Sequence, residues 1–340
     1  MNTEWNMGSE ERKKFWDTLC SLDGKDVEND IKCLLATIKF PRFLYRYRSV
    51  NNKSLSALIE NKMYFSTSDY YDDPFDTYIR IDRNLVLEGI KQEVEDLRSN
   101  ENRLSGFSKY LGISNEECQN FLTEKTAEFI GNVSYDFFKG IRKDLRKEIY
   151  SVCFSDTWKN ENLWLKYADQ HRGFAVVYDR SDDSSWLCGT EKECLNCLNK
   201  DLNAYIYPMC YSDEKYDATI YARDYAVHKL LVNLNNSYAN PLLQFVPDHP
   251  WEKEKITLIK KKCHEYDAEW RAILSTPYYL NAPVYKKWKP YGVILGLNME
   301  ADSKKLIVNA AETAGITGIF QVEISDSDEL ELMPISGRKG

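Results

Sequence analysis

Apolar residues follow two rhythms along this chain, and each marks a type of element. Phe15, Leu19 and Leu22 recur at spacings of four and three, and Ile31, Leu34, Leu35 and Ile38 continue the pattern, so residues 9–38 read as two helices. Leu44, Tyr45, Arg46, Tyr47 and Arg48 then alternate apolar or aromatic with cationic side chains, the pattern of a half-buried strand. Ser49 to Ser54 supplies turn and cap residues, Leu55, Leu58 and Ile59 return to helical spacing, and Lys62 to Phe65 is a second strand. A polar loop, Ser66 to Asp76, follows; its Pro74 biases Asp73 away from the helical region. Tyr78 to Ile81 reads as a short extended piece.

From 84 to 150 the character changes. Proline is absent, charge is dense, and Leu85, Ile90, Val94, Leu97, Phe107, Phe121, Phe129 and Phe137 mark a series of helices, read as an insertion. Beyond it, strands are expected at 150–154, 173–179, 204–211, 268–275, 291–295, 318–324 and 330–334. Pro208 assigns its strand to an edge. Helices are expected at 163–170, 221–235, in a Lys-rich run at 252–266, and at 301–314, with an irregular or helical cysteine-bearing run at 184–200. Strands and helices mix without regular alternation, which predicts an α+β fold with a mixed, mainly antiparallel sheet. The expected organisation is N-terminal helices over 1–39 and one α+β domain over 40–335 carrying the helical insertion 84–150.

Composition narrows the function classes. Apolar residues are 43% of the 340, enough for a sizeable core. The formal charge of −8 argues against wrapping generic nucleic acid, though it leaves room for a local basic groove. No apolar run approaches the length of a membrane span, and the first residues lack the apolar stretch of a signal peptide. Nine cysteines at irregular spacing fit reduced thiols in a cytoplasmic setting.

Several constellations carry candidate chemistry. Arg46 and Arg48 lie two apart on one strand face, and a guanidinium fork matches two phosphate oxygens; the alternative is a solvated face or internal salt bridges. Asp72, Asp73 and Asp76 offer oxygen ligands to a metal but lack calcium-loop spacing, and can equally cap the turn or pair with the arginines. Trp164 and Tyr167 share a helical face that would stack on a planar base, or serve as core. Cys153 and His171 form a conceivable nucleophile pair, and Cys188, Cys194, Cys197 and Cys210 a faint zinc cluster. Alternation along 268–275 puts Glu269 on the face of Arg271, either as a sheet-surface pair or as a catalytic carboxylate.

The blocks LYRYRS (44–49), YFSTSDYYDDPFD (64–76), CFSDTWKNENLWLKYADQHRGFAVVYD (153–179) and AEWRAIL (268–274) resemble the bacterial domain of unknown function family 2971. The family usually has Asn where this chain has Asp72, and its name implies no activity. In layout alone the chain is similar to ADP-ribosyltransferase-like proteins, whose split sheet begins with a strand bearing an Arg or His and ends with a strand bearing a glutamate. That likeness implies NAD as substrate: Arg46 or Arg48 on the pyrophosphate, Tyr45, Tyr47 or Trp164 stacked on a ring, Tyr167 and Ser66 lining the site, and Glu269 stabilising the oxocarbenium-like state as nicotinamide leaves. The expected function is therefore an NAD-consuming ADP-ribosyltransferase or NAD glycohydrolase, acting on a protein or nucleic-acid acceptor in phage defence or a toxin system. The alternatives are a non-catalytic sensor of nucleotides or nucleic-acid ends, and a metal-dependent hydrolase.

Overall fold

The computed structural model describes residues 7–181, 186–187, 206–235, 247–275 and 284–335. In chain order the elements are α1 (Ser9–Ser21), α2 (Val27–Ala36), β1 (Phe43–Arg48), α3 (Asn52–Ile59), β2 (Lys62–Thr67), α4 (Arg83–Ser99), α5 (Glu101–Leu111), α6 (Asn115–Phe121), α7 (Glu124–Glu148), β3 (Ile149–Ser155), α8 (Glu161–Tyr167) and β4 (Phe174–Asp179). There follow β5 (Trp186–Leu187), β6 (Ile206–Pro208), β7 (Cys210–Tyr211), α9 (Thr219–Asn235), α10 (Glu252–Thr257), β8 (Ile259–Lys260), β9 (Glu269–Ser275), β10 (Val284–Trp288), β11 (Gly292–Leu295), α11 (Ala301–Thr313), β12 (Gly318–Ile324) and β13 (Leu330–Pro334).

The fold is α+β. One sheet runs in the order β13-β12-β11-β4-β1-β3-β2-β10-β5, with β9 on β3 and β6 on β9. Its pairs are antiparallel except β11 with β12, and there α11 supplies the crossover that a parallel pair requires. The middle strands are the apolar ones: β4 (FAVVYD) and β11 (GVIL) are buried along their whole length. β6 pairs only with β9 among the described strands, so Pro208 costs the ladder nothing there. Local sequence closes the helices: Asn51 and Ser54 form a reciprocal capping box on α3, and the Asp26 carboxylate accepts the Asn29 amide at the start of α2.

The chain divides into two compact units. The first holds 1–77, 147–214 and 253–340 and contains the sheet; the second holds 78–146 and 215–252 and is helical. The insertion expected at 84–150 is thus joined by a second stretch, contributed after β7. The N-terminal helices belong to the sheet unit, anchored by Arg12. Its guanidinium donates to the carbonyls of Met209 (3.1 Å) and Glu269 (2.8 Å) and meets the Asp156 carboxylate at 3.0 Å.

Two further expectations change. Residues 252–266 are not one helix; α10 stops at Thr257, β8 pairs with β7, and Lys262–Asp267 is a 3-10 turn. Tertiary charge pairing explains this, because Lys260 leaves the surface to meet buried carboxylates. β10 (VYKKW) escapes the pattern reading because lysines fall on both its faces, yet Lys286 is buried.

Gly173, at the entrance to β4, is required by a close approach. A Cβ there would lie 2.2 Å from the Arg48 carbonyl oxygen and 2.9 Å from Ala168 backbone. Both obstacles are main chain and cannot rotate away. Gly173→Ala is expected to destabilise the sheet unit by about 3 kcal/mol, the upper end of overpacking costs, measured as a lower urea midpoint at unchanged m-value.

Candidate functional site

A cavity of about 280 Å³ opens where the sheet splits. On one edge, β3 pairs with β1 at Ser155–Tyr45 and with β2 at Ser151–Ser66 and Tyr150–Thr67. Between these contacts, Val152 to Phe154 have no ladder partner on that edge among the described residues. The other edge of β3 is zipped to β9 throughout, from Ile149–Ser275 to Ser155–Glu269. Arg46 spans the gap, its Nη2 donating to the Tyr64 carbonyl at 3.4 Å. β1, β2, β3 and β9 therefore all deliver side chains to one hollow within the sheet unit.

One wall is cationic. Arg46 and Arg48 are half-buried side by side on β1. Burial lowers both guanidinium pKa values, that of Arg48 to about 9, and the charge of Arg46 contributes to the shift at Arg48. Among the described residues the groups that act against burial on these two are Tyr178, Cys153 and Tyr71, none of them a carboxylate. Two like charges are thus withdrawn from water together, an arrangement whose cost an anionic ligand would offset.

The floor is an ion-pair network. Arg271 grips Asp76 with both terminal nitrogens (2.7 and 2.6 Å), donates from Nε to Glu269 Oε1 at 2.6 Å, and meets the Thr257 carbonyl at 2.9 Å. Lys260 Nζ lies 3.0 Å from Glu269 Oε2, 3.2 Å from Asp267 and 3.8 Å from Asp76. Burial opposes ionisation of Glu269, but the charges of Arg271 and Lys260 outweigh it and hold the carboxyl well below the usual range. Asp267 goes the other way: burial dominates and raises it, and its Oδ1 has no hydrogen-bond partner among the described residues. Tyr71 caps the network, with its ring 5.4 Å over the Arg271 guanidinium and its hydroxyl on Ser151. Burial raises its pKa, so the phenol stays neutral.

Of the residues expected at a site, Arg46, Arg48, Tyr45, Tyr47, Ser66, Tyr167 and Glu269 all border this cavity. Trp164 does not. It is fully buried, with its indole NH donating to the Trp158 carbonyl at 2.7 Å and its ring edge-on to Tyr47 at 5.0 Å. Its stacking role is corrected to core. The rings of Tyr45 and Tyr47 belong to the same core cluster, and the Tyr47 hydroxyl donates to the Thr157 carbonyl, so neither ring is free to stack on a ligand. Among the expected aromatics Tyr167 keeps an exposed face, and Tyr70, which also lines the cavity and is 79% exposed, adds another.

Asp76 pairs with Arg271 rather than with Arg46 or Arg48, while Asp72 and Asp73 remain at the rim. Among the described residues no group of three His, Cys, Asp or Glu side chains is placed to hold a metal. Cys188, Cys194 and Cys197 lie outside the described residues. Cys153 lines the cavity, but burial and the nearby Glu269 charge push its thiol up to about 12. His171 stacks on Trp164 instead of reaching it (centroids 5.4 Å apart). Cys153 and His171 do not form a nucleophile pair, in keeping with the packing alternative for Cys153. Lys260, Asp267, Tyr71 and Ser151 carried no local signal; they come from four segments whose convergence only the fold creates.

Fold and cavity together define an α+β protein with a charge-segregated pocket at a split in its sheet. No family model, no curated protein and no solved structure matches the chain. Among the described residues no helix is long and apolar enough to cross a membrane.

Proposed function

We propose that the split in the sheet binds a nucleotide of the NAD type, its phosphates on Arg46 and Arg48 and a planar ring against Tyr167 and Tyr70. The observation that carries this reading is the pair of half-buried guanidiniums with no carboxylate acting on them among the described residues, on the wall of a cavity with exposed tyrosines at its rim. Bidentate donors suit phosphate oxygens, and stacking is tolerant of which base is present. A cavity of about 280 Å³ is at the small end for ligand sites, so one half of a dinucleotide lies inside and the other on the rim.

Binding is favoured over turnover because both oxygens of Glu269 are committed to Arg271 and Lys260. A carboxylate neutralised by two cations offers little to a developing oxocarbenium ion. The second reading is NAD cleavage by glycosyl transfer, and it is favoured by Arg46, Ser66 and Glu269 bordering one cavity in the order that chemistry uses.

One experiment separates them. NAD and ADP-ribose at saturating concentration are expected to raise the melting midpoint by several degrees, because ligand at about 100 times Kd adds about 2.7 kcal/mol. NAD is expected to survive incubation, with no release of nicotinamide. Glu269→Gln, which keeps the shape, is expected to leave the affinity within about threefold. Nicotinamide release that Glu269→Gln abolishes would establish the catalytic reading instead. No midpoint shift with either ligand removes both.

A further inference from the structure

The helical unit holds an apolar face that its own packing does not use. α7 is 25 residues long, so it extends about 37 Å. One stripe of it is spent inside: Ala127, Phe138, Ile141 and Leu145 are buried. A second stripe, Phe129, Val133 and Phe137, recurs every four residues on a different face, and these side chains are 68%, 54% and 53% exposed. Single exposed apolar residues need no explanation, but two phenylalanines and a valine in register on one helix face form a contact surface. Further along the same face stands Gly140, where a Cβ would meet nothing within 4 Å. The backbone is bare there and open to close approach by a bulky side chain.

We infer that this face of α7 pairs with the same face of a second copy of this chain, the two helices antiparallel about a two-fold axis passing between residues 134 and 135. The stripe is complementary to its own reverse. That axis sets Phe129 against Gly140 of the partner subunit, ring into bare backbone, and Val133 beside Phe137 of the partner subunit. It also sets Lys125 against Asp144 of the partner subunit at each end. Lys125 and Asp144 are both exposed, and neither is in an ion pair among the described residues. An isologous contact repeats every pairing twice, so the arrangement yields two ring-to-glycine contacts, two Val–Phe contacts and two opposite-charge pairs. A parallel pairing would set Lys125 against its own equivalent and Asp144 against its own, which is repulsive at both ends.

The test is sedimentation equilibrium on the full-length protein from about 1 to 100 µM, with circular dichroism to verify folding. The wild type is expected to be a dimer in this range, and Phe129→Glu or Phe137→Glu to be monomeric with unchanged helix content. Lys125→Asp alone and Asp144→Lys alone are each expected to weaken association about tenfold. The double exchange, Lys125→Asp with Asp144→Lys, is expected to restore it. A wild type that stays monomeric to 100 µM overturns the inference. So does a dimer indifferent to both Phe→Glu variants, and a double exchange no better than the singles overturns the antiparallel register. None of these residues lines the cavity of the sheet unit, so the outcome is independent of nucleotide binding.

Discussion

Replacing Arg271 with Met is expected to lower the free energy of unfolding by about 3–5 kcal/mol, the usual cost of stripping one partner from a buried ion pair. Arg271 is 1% exposed and satisfies Asp76 and Glu269 at once. Without it two buried carboxylates share Lys260 alone, and Asp267 competes for the same ammonium. Urea denaturation measures the loss. Adding Asp76→Asn to Arg271→Met is expected to restore part of it, because the penalty lies in the uncompensated charge and not in the missing contact. The pH dependence has a defined sign. Glu269 is held below the ordinary glutamate value, so its contribution is complete above about pH 4.3. That contribution is lost as the pH falls through the depressed value. Asp267, raised by burial, titrates with the opposite sign and gains stability as the pH falls. The difference between wild type and Arg271→Met therefore shrinks below pH 4.3. A difference that stays constant from pH 7 to pH 2.5 would contradict the network as described.

Removing the cationic wall is expected to separate function from stability. Arg46→Met and Arg48→Met should each weaken NAD and ADP-ribose binding by about 2 kcal/mol or more, roughly thirtyfold, since each removes a charged partner from a partly desolvated anion. The ligand-free melting midpoint is expected to hold or rise in Arg48→Met. That side chain is drawn from water beside Arg46, and burial and like charge both lower its pKa. Loss of affinity with gain of stability is what a residue kept for its ligand produces; a structural arginine loses both. Isothermal titration and thermal melts on the same preparations decide it. Arg48→Met that lowers the ligand-free midpoint instead would assign this wall to the fold.

Much of the site was legible because local patterns carry direction. The alternation of Leu44 to Arg48 placed the two arginines on a common face, and the structure keeps them there on one wall. The alternation along 268–275 likewise set Glu269 beside Arg271, as observed at 2.6 Å. The same patterns do not report which aromatics are exposed. Trp164 and Tyr167 sit three apart on one short helix, yet Trp164 is wholly buried and Tyr167 is 39% exposed. The difference lies in what packs above them, Tyr47 and His171 over the indole.

By itself the chain's periodicity determined most element types, the α+β class and the pairing of cations on β1, because these follow from which side of a helix or strand each residue occupies. Only the tertiary structure decided that Glu269 is a neutralised member of a five-charge cluster, that 252–266 breaks in two, and that β1 and β2 part over β3 to leave a cavity. The first two depend on charges brought together from far apart in the chain, from Asp76 to Arg271. Their energies come from burial in a shared low-dielectric space, a property no local stretch of sequence possesses.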